Sequence, residues 1–143
     1  MGSTERQLGV ELFNGTWALI ESRADDDVML NMAHASAYHW AVAPECLPQN
    51  RARSEWLLAR VYALLGRAEP SLHHARRCLA WCEEHGLRDW DLAFAYEALA
   101  RASMVAGNEA GAVSYAVQAR AVAVEEADDR EQLERDLASI QRA

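Results

Sequence analysis

The sequence predicts an all-α fold of stacked antiparallel helical hairpins, about seven helices in all, with a C-terminal capping helix. Three observations predict it. Leu58-Ala59-Arg60-Val61-Tyr62-Ala63-Leu64-Leu65-Gly66 realigns on Leu99-Ala100-Arg101-Ala102-Ser103-Met104-Val105-Ala106-Gly107, an offset of 41 residues that also brings Ala75 onto Ala116, Ala80 onto Ala121 and Glu84 onto Glu125. Repeats of that length with helical periodicity in both copies mark stacked helical hairpins. The turn-forming and capping residues divide the chain into helix-length pieces, and no stretch sustains the period-2 alternation of a strand.

The first helix spans about Thr4 to Arg23, carrying Leu8, Leu12, Leu19 and Ile20 and weakened by Gly9 and Gly15. Asp25-Asp26-Asp27 supplies an N-cap and a favourable charge for a second helix reaching Ala43. Pro44 and Pro48 bracket a loop, and a third helix runs from Asn50 or Arg51 to Gly66, a natural C-terminal stop. Pro70 and Glu69 suit the first turn of a fourth, ending at Gly86. Asp89 caps a fifth that ends at Gly107, Asn108 starts a sixth, and Asp128-Asp129 separates it from a seventh. The connections are only a few residues long, so neighbouring helices pack antiparallel.

Helix 3 with 4, and helix 5 with 6, resemble tetratricopeptide repeats of a degenerate bacterial type. The resemblance is carried by Leu58, Ala59, Tyr62, Gly66, Leu72, Ala75 and Cys78 in one copy. Leu99, Ala100, Gly107, Ala112, Val113, Ala116 and Ala119 carry it in the other. The spacing is about seven residues longer than the family's roughly 34. Ser103 replaces the usual aromatic, and Ser71 stands where alanine is typical. The resemblance covers roughly residues 52–127. It implies one domain over 1–143: a degenerate first hairpin at 4–43, repeats at 50–86 and 89–127, and a cap helix at 128–142.

A chain of 143 residues with 51% hydrophobic residues suffices to bury a core. No apolar run reaches the roughly 20 residues of a membrane span, and the N-terminal residues lack a signal-peptide core, so the expected location is the cytoplasm. All 14 basic residues are arginine. With the abundant alanine, this points to the codon bias of a high-GC bacterial genome, and it leaves no lysine for Schiff-base chemistry. A net charge of −8 argues against nucleic-acid or anionic-membrane partners. Cys46, Cys78 and Cys82 are an odd number without a disulfide pattern, which suits a reducing compartment.

Two constellations are candidate sites. The tetratricopeptide resemblance implies a ligand groove lined by the first helix of each pair, which here presents Arg53, Trp56 and Arg60, then Phe94, Glu97 and Arg101. Both sets have i, i+3, i+7 spacing and so fall on one stripe. Arginines beside a large aromatic suit a reader of carboxylates or of a peptide tail. The second constellation is His74 and Cys78 on helix 4, with His34 and His39 on helix 2. A histidine and a cysteine four apart can give two ligands to zinc, with helix 2 supplying the rest. Against that, Cys78 falls where the repeat wants a small buried residue, and His34 and His39 lie about 140° apart around a helix.

Cysteine nucleophile chemistry lacks an oxyanion hole, because helix middles offer no free N–H. Five tryptophans exceed what a small bundle needs and favour an aromatic pocket or a homo-oligomer face. The expected function is therefore a non-enzymatic module binding a peptide, a protein partner or a second copy of itself, with no cofactor. The alternative is a metal- or small-molecule-binding protein, possibly an enzyme, with its site between helices 2 and 4.

Overall fold

The computed structural model describes residues 2–140. Among them the chain is all-helical: α1 (Thr4–Ser22), α2 (Asp26–Val42), α3 (Pro48–Leu64), α4 (Ala68–His85), α5 (Asp89–Val105), α6 (Glu109–Ala121) and α7 (Ala127–Ala138). α1 packs on α2, α3 on α4 and α5 on α6, giving three antiparallel hairpins. The hairpins stack in order, α2 against α3 and α4 against α5. A second line of packing joins only first helices: α1 to α3, α3 to α5, and α5 to α7. The odd-numbered helices thus form one continuous layer.

Local chemistry sets most of the boundaries. Ser3, Asp25 and Asn108 accept the N–H of Arg6, Val28 and Gly111, satisfying donors that the first helical turn leaves without partners. Gly66 and Gly107 adopt φ values of 71° and 80°, which glycine reaches without steric cost. After each, an N–H reaches back five residues, Arg67 to the Tyr62 carbonyl and Asn108 to the Ser103 carbonyl. The two copies of the repeat therefore end in the same motif.

Three boundaries differ from expectation. α3 begins at Pro48, whose missing N–H costs nothing at a first position, and Asn50 Oδ1 accepts the Leu47 N–H at 2.9 Å. The cap before α5 is Arg88; Asp89 sits at φ 57° and accepts the N–H groups of Trp90 and Glu125. α6 stops at Ala121 because Val122 turns extended, and Arg130 donates to the carbonyls of Arg120 and Val122. The end of the expected cap helix, 141–142, lies outside the described residues.

Trp56 packs against all four clusters of buried apolar side chains. The glycines of α1 also have a packing role. A Cβ on Gly9 would lie 2.8 Å from the Trp40 ring, and the Gly9 carbonyl accepts the Ser36 hydroxyl at 2.7 Å, so α1 and α2 touch backbone to side chain there. Replacing Gly9 by alanine gains about 1 kcal/mol of helix propensity, yet overpacking a fitted contact costs about 1–3 kcal/mol. Gly9→Ala is expected to lower the denaturant midpoint of unfolding, and a raised midpoint would show that the α1–α2 contact is loose.

Candidate functional site

The odd-numbered helices enclose a cavity of about 500 Å³. α1 contributes Phe13, Trp17 and Glu21; α3 contributes Ala52, Arg53 and Trp56; α5 contributes Trp90, Asp91 and Phe94; α7 contributes Asp129, Gln132 and Asp136; Cys78 of α4 closes the wall. The rings touch in series. Trp17 and Trp56 lie 5.5 Å apart between centroids, Trp56 meets Phe94 edge to face at 6.0 Å, and Trp90 meets Phe94 edge to face at 6.0 Å. Such pairs favour these geometries because the ring edge is positive and its face negative.

Beneath the rings lies a buried carboxylate. Glu97 is 1% exposed and accepts the Trp56 indole N–H at 3.0 Å and Arg101 Nε at 2.9 Å. Arg60 stands 3.9 Å from the same carboxylate with its guanidinium carbon 6.0 Å over the Trp17 ring. Burial, and then the neighbouring Arg101, push the Arg60 guanidinium below its ordinary value, while Glu97 and Asp136 pull it back. Arg101 also donates to the Asp136 carbonyl and the Ser139 hydroxyl, tying α5 to the end of α7. The offset from Trp56 to Glu97 is 41 residues, and Arg60 and Arg101 correspond at the same offset. Trp56 and Glu97, equivalent positions of the two copies, thus bond to one another across α3 and α5, and the equivalent Arg60 and Arg101 both stand against Glu97.

Five of the six groove candidates, Trp56, Arg60, Phe94, Glu97 and Arg101, belong to this assembly. Arg53 sits beside it, bonded through Nε and NH2 to both oxygens of Asp91 at 3.0 and 3.2 Å, with its guanidinium 4.5 Å from the Trp90 ring centroid. Of the three arginines read from sequence as reaching for a partner's carboxylate, Arg53 and Arg101 are hydrogen-bonded to carboxylates of the chain. Arg60 only approaches Glu97 at 3.9 Å, and its buried Nε and NH1 make no hydrogen bond among the described residues. Trp17 and Trp90 belong to the five tryptophans whose surplus favoured an aromatic pocket, and Asp129 to the acidic run opening the last helix; Phe13, Asp91 and Asp136 carried no signal.

The histidines and cysteines distribute differently. His74 Nδ1–H donates to Glu55 Oε2 at 2.6 Å, since an ionised carboxylate only accepts, and Arg77 Nε donates to Glu55 Oε1 at 3.2 Å. His34 Nε2 and the Tyr62 hydroxyl share a hydrogen bond at 2.8 Å, and the His34 and His74 rings lie 6.0 Å apart, so α2 and α4 meet here through side chains. His39 is elsewhere, paired with Glu5 of α1. Cys78 packs with Ala52, Cys82 and Ala95; its hydrogen bond to Cys82 and its burial hold its thiol well above the ordinary range. Among the described residues no three His, Cys, Asp or Glu side chains are placed to hold a metal ion. Of the expected set, His34 and His74 come together, while His39 lies with Glu5 and Cys78 packs with Cys82, so the four are not assembled.

No family model matches the chain, nor does any curated protein or solved structure. The fold and site therefore define an all-α stack of helical hairpins with an aromatic cavity in its first-helix layer.

The Glu55 cluster makes stability depend on pH with a definite sign. Burial lowers His34 below its ordinary 6.5, the nearby His74 lowers it further, and Glu55 opposes. Burial raises Glu55, but hydrogen bonds and charge from His74 and Arg77 outweigh it and leave the carboxyl below its ordinary 4.5. For both groups the unfolded chain binds the proton more tightly, so stability is complete above the unfolded value and is lost as pH falls through the folded one. Unfolding measured from about pH 7 to about pH 4 is expected to show a fall beginning near the histidine range and steepening in the carboxylate range. His34→Gln should remove the upper part and Glu55→Gln the lower; a profile unchanged by both would contradict the network.

Proposed function

We propose that this chain is a non-enzymatic binding module of the tetratricopeptide-like kind, which takes a ligand or the side chain of a partner into the cavity of its first-helix layer. One observation carries the reading: a cavity of about 500 Å³ walled by Phe13, Trp17, Trp56, Trp90 and Phe94. That size lies within the range of small-molecule sites, which are apolar with a few placed polar groups. Protein cores are close-packed, so rings lining open space mark a surface kept for something else.

The neighbouring chemistry favours binding over catalysis. The cavity's one cysteine, Cys78, is held as a thiol and is a poor nucleophile in that form. Arg53 and Asp91 satisfy one another across the wall. The net charge of −8 disfavours nucleic acid as the partner, and the cytoplasm remains the proposed location. No helix among the described residues is long and apolar enough to cross a membrane.

A ligand-observed NMR screen of a fragment panel tests the reading. Aromatic and apolar fragments are expected to bind the wild-type chain and to lose about tenfold in affinity in Trp90→Ala, a loss typical of removing one buried aromatic contact. Trp90 is 36% exposed, so this variant should keep its helical circular dichroism and cooperative melting. Fragment affinities unchanged in a folded Trp90→Ala chain would place the binding surface elsewhere.

A further inference from the structure

The chemistry of the cavity wall narrows what it takes, and this narrowing rests on the binding reading just given. Four carboxylates line the space, Glu21, Asp91, Asp129 and Asp136, against the single guanidinium of Arg53. That guanidinium is already held by both oxygens of Asp91. Among the described residues, neither Glu21 nor Asp129 has a hydrogen-bond or ion-pair partner within the chain. An anion entering here would meet a surplus of like charge, and the one guanidinium lining the space is already paired.

The rings point the same way. An aromatic face is electronegative and attracts a cation within about 6 Å of its centre. Two of the cavity's own tryptophans already hold one, Arg53 at 4.5 Å from Trp90 and Arg60 at 6.0 Å from Trp17. The indole N–H of Trp56 is spent on Glu97, which fixes the orientation of that ring and leaves no donor there for a ligand.

Metal cations fit poorly. A divalent metal wants a cluster of ligating atoms that the described residues do not assemble. An alkylated ammonium has no such need. Its charge is spread over a methylated surface that makes apolar contact with ring faces and is balanced by carboxylates a short distance away. We propose that the cavity is a binding site for an alkylated ammonium cation, held among Trp17, Trp56, Trp90 and Phe94 and balanced by Glu21 and Asp129. A volume of about 500 Å³ accommodates the head group together with an attached apolar body. The head could arrive on a free small molecule or on a methylated lysine side chain, which present the same chemistry.

Isothermal titration of the full chain with three probes of one shape class tests this. The probes are benzyltrimethylammonium, the neutral 2,2-dimethyl-1-phenyl-1-propanol and the anion 3-phenylpropanoate. The cation is expected to bind about tenfold or more tightly than either other probe, the advantage of a desolvated cation on aromatic faces. A Glu21→Gln, Asp129→Asn double variant, which keeps every ring of the wall, should weaken the cation several-fold and leave the neutral probe unchanged. Acetylated, amidated trimethyl-lysine binding more tightly than benzyltrimethylammonium would identify the side-chain source, and weaker binding the free molecule. If the neutral or anionic probe binds as well as the cation and still depends on Trp90, the cation assignment falls and the cavity remains a binding site. If no probe binds, both readings fall.

Discussion

The Trp56 indole N–H donates to the Glu97 carboxylate across α3 and α5, deep in the first-helix layer. A carboxylate that is 1% exposed costs several kcal/mol to bury unless its charge is met and its lone pairs are filled. Glu97 meets that condition with the Trp56 N–H, Arg101 Nε and the adjacent Arg60. These groups lie on α3 and α5, so satisfying the charge fixes the register of two first helices. Arg101 extends the constraint to α7 through the Asp136 carbonyl and Ser139, and Arg60 extends it to α1 by lying over Trp17. All four odd-numbered helices are thereby referred to one buried charge.

The cavity follows from that arrangement. Trp56 is held by its N–H and cannot turn to fill the space between α1 and α7, so its ring serves as wall and as core at once. Phe94 and Trp90 continue the wall edge to face, and Arg53, held by Asp91, lies over the Trp90 ring. Hydrophobic packing alone would tend to close such a space, because every apolar contact made is favourable. A polar lock that sets helix positions by direction rather than by area can hold it open.

What was legible in the sequence is what short-range chemistry decides. Asp25, Asn108, Gly66, Gly86 and Gly107 act on residues within five positions of themselves, and each marks its helix end as its chemistry requires. The stripe from Arg53 to Arg101 was also visible, because helical period alone groups it. Its chemistry was not: Arg53 finds Asp91 38 residues away, and the Arg101 guanidinium finds Asp136 at a separation of 35. Partners that distant depend on how hairpins stack, and nothing in local spacing reports it. The same holds for Gly9, which weakens a helix by propensity yet admits Trp40 of the neighbouring one. His34 and His74 did come together from α2 and α4, but hydrogen bonds to Tyr62 and Glu55 occupy them, and the candidate Cys78 faces Cys82 instead.

The claim that one polar lock organises the first-helix layer is tested most directly by a double-mutant cycle on Trp56→Phe and Glu97→Ala, read by denaturant unfolding. Trp56→Phe removes the indole donor and keeps an aromatic ring in place; Glu97→Ala removes the acceptor. A hydrogen bond to a charged group contributes about 1.5–3 kcal/mol, and the cycle is expected to return a coupling of at least about 1 kcal/mol. Effects that add to within about 0.5 kcal/mol would mean that the two side chains stabilise the fold independently, and the lock would not exist.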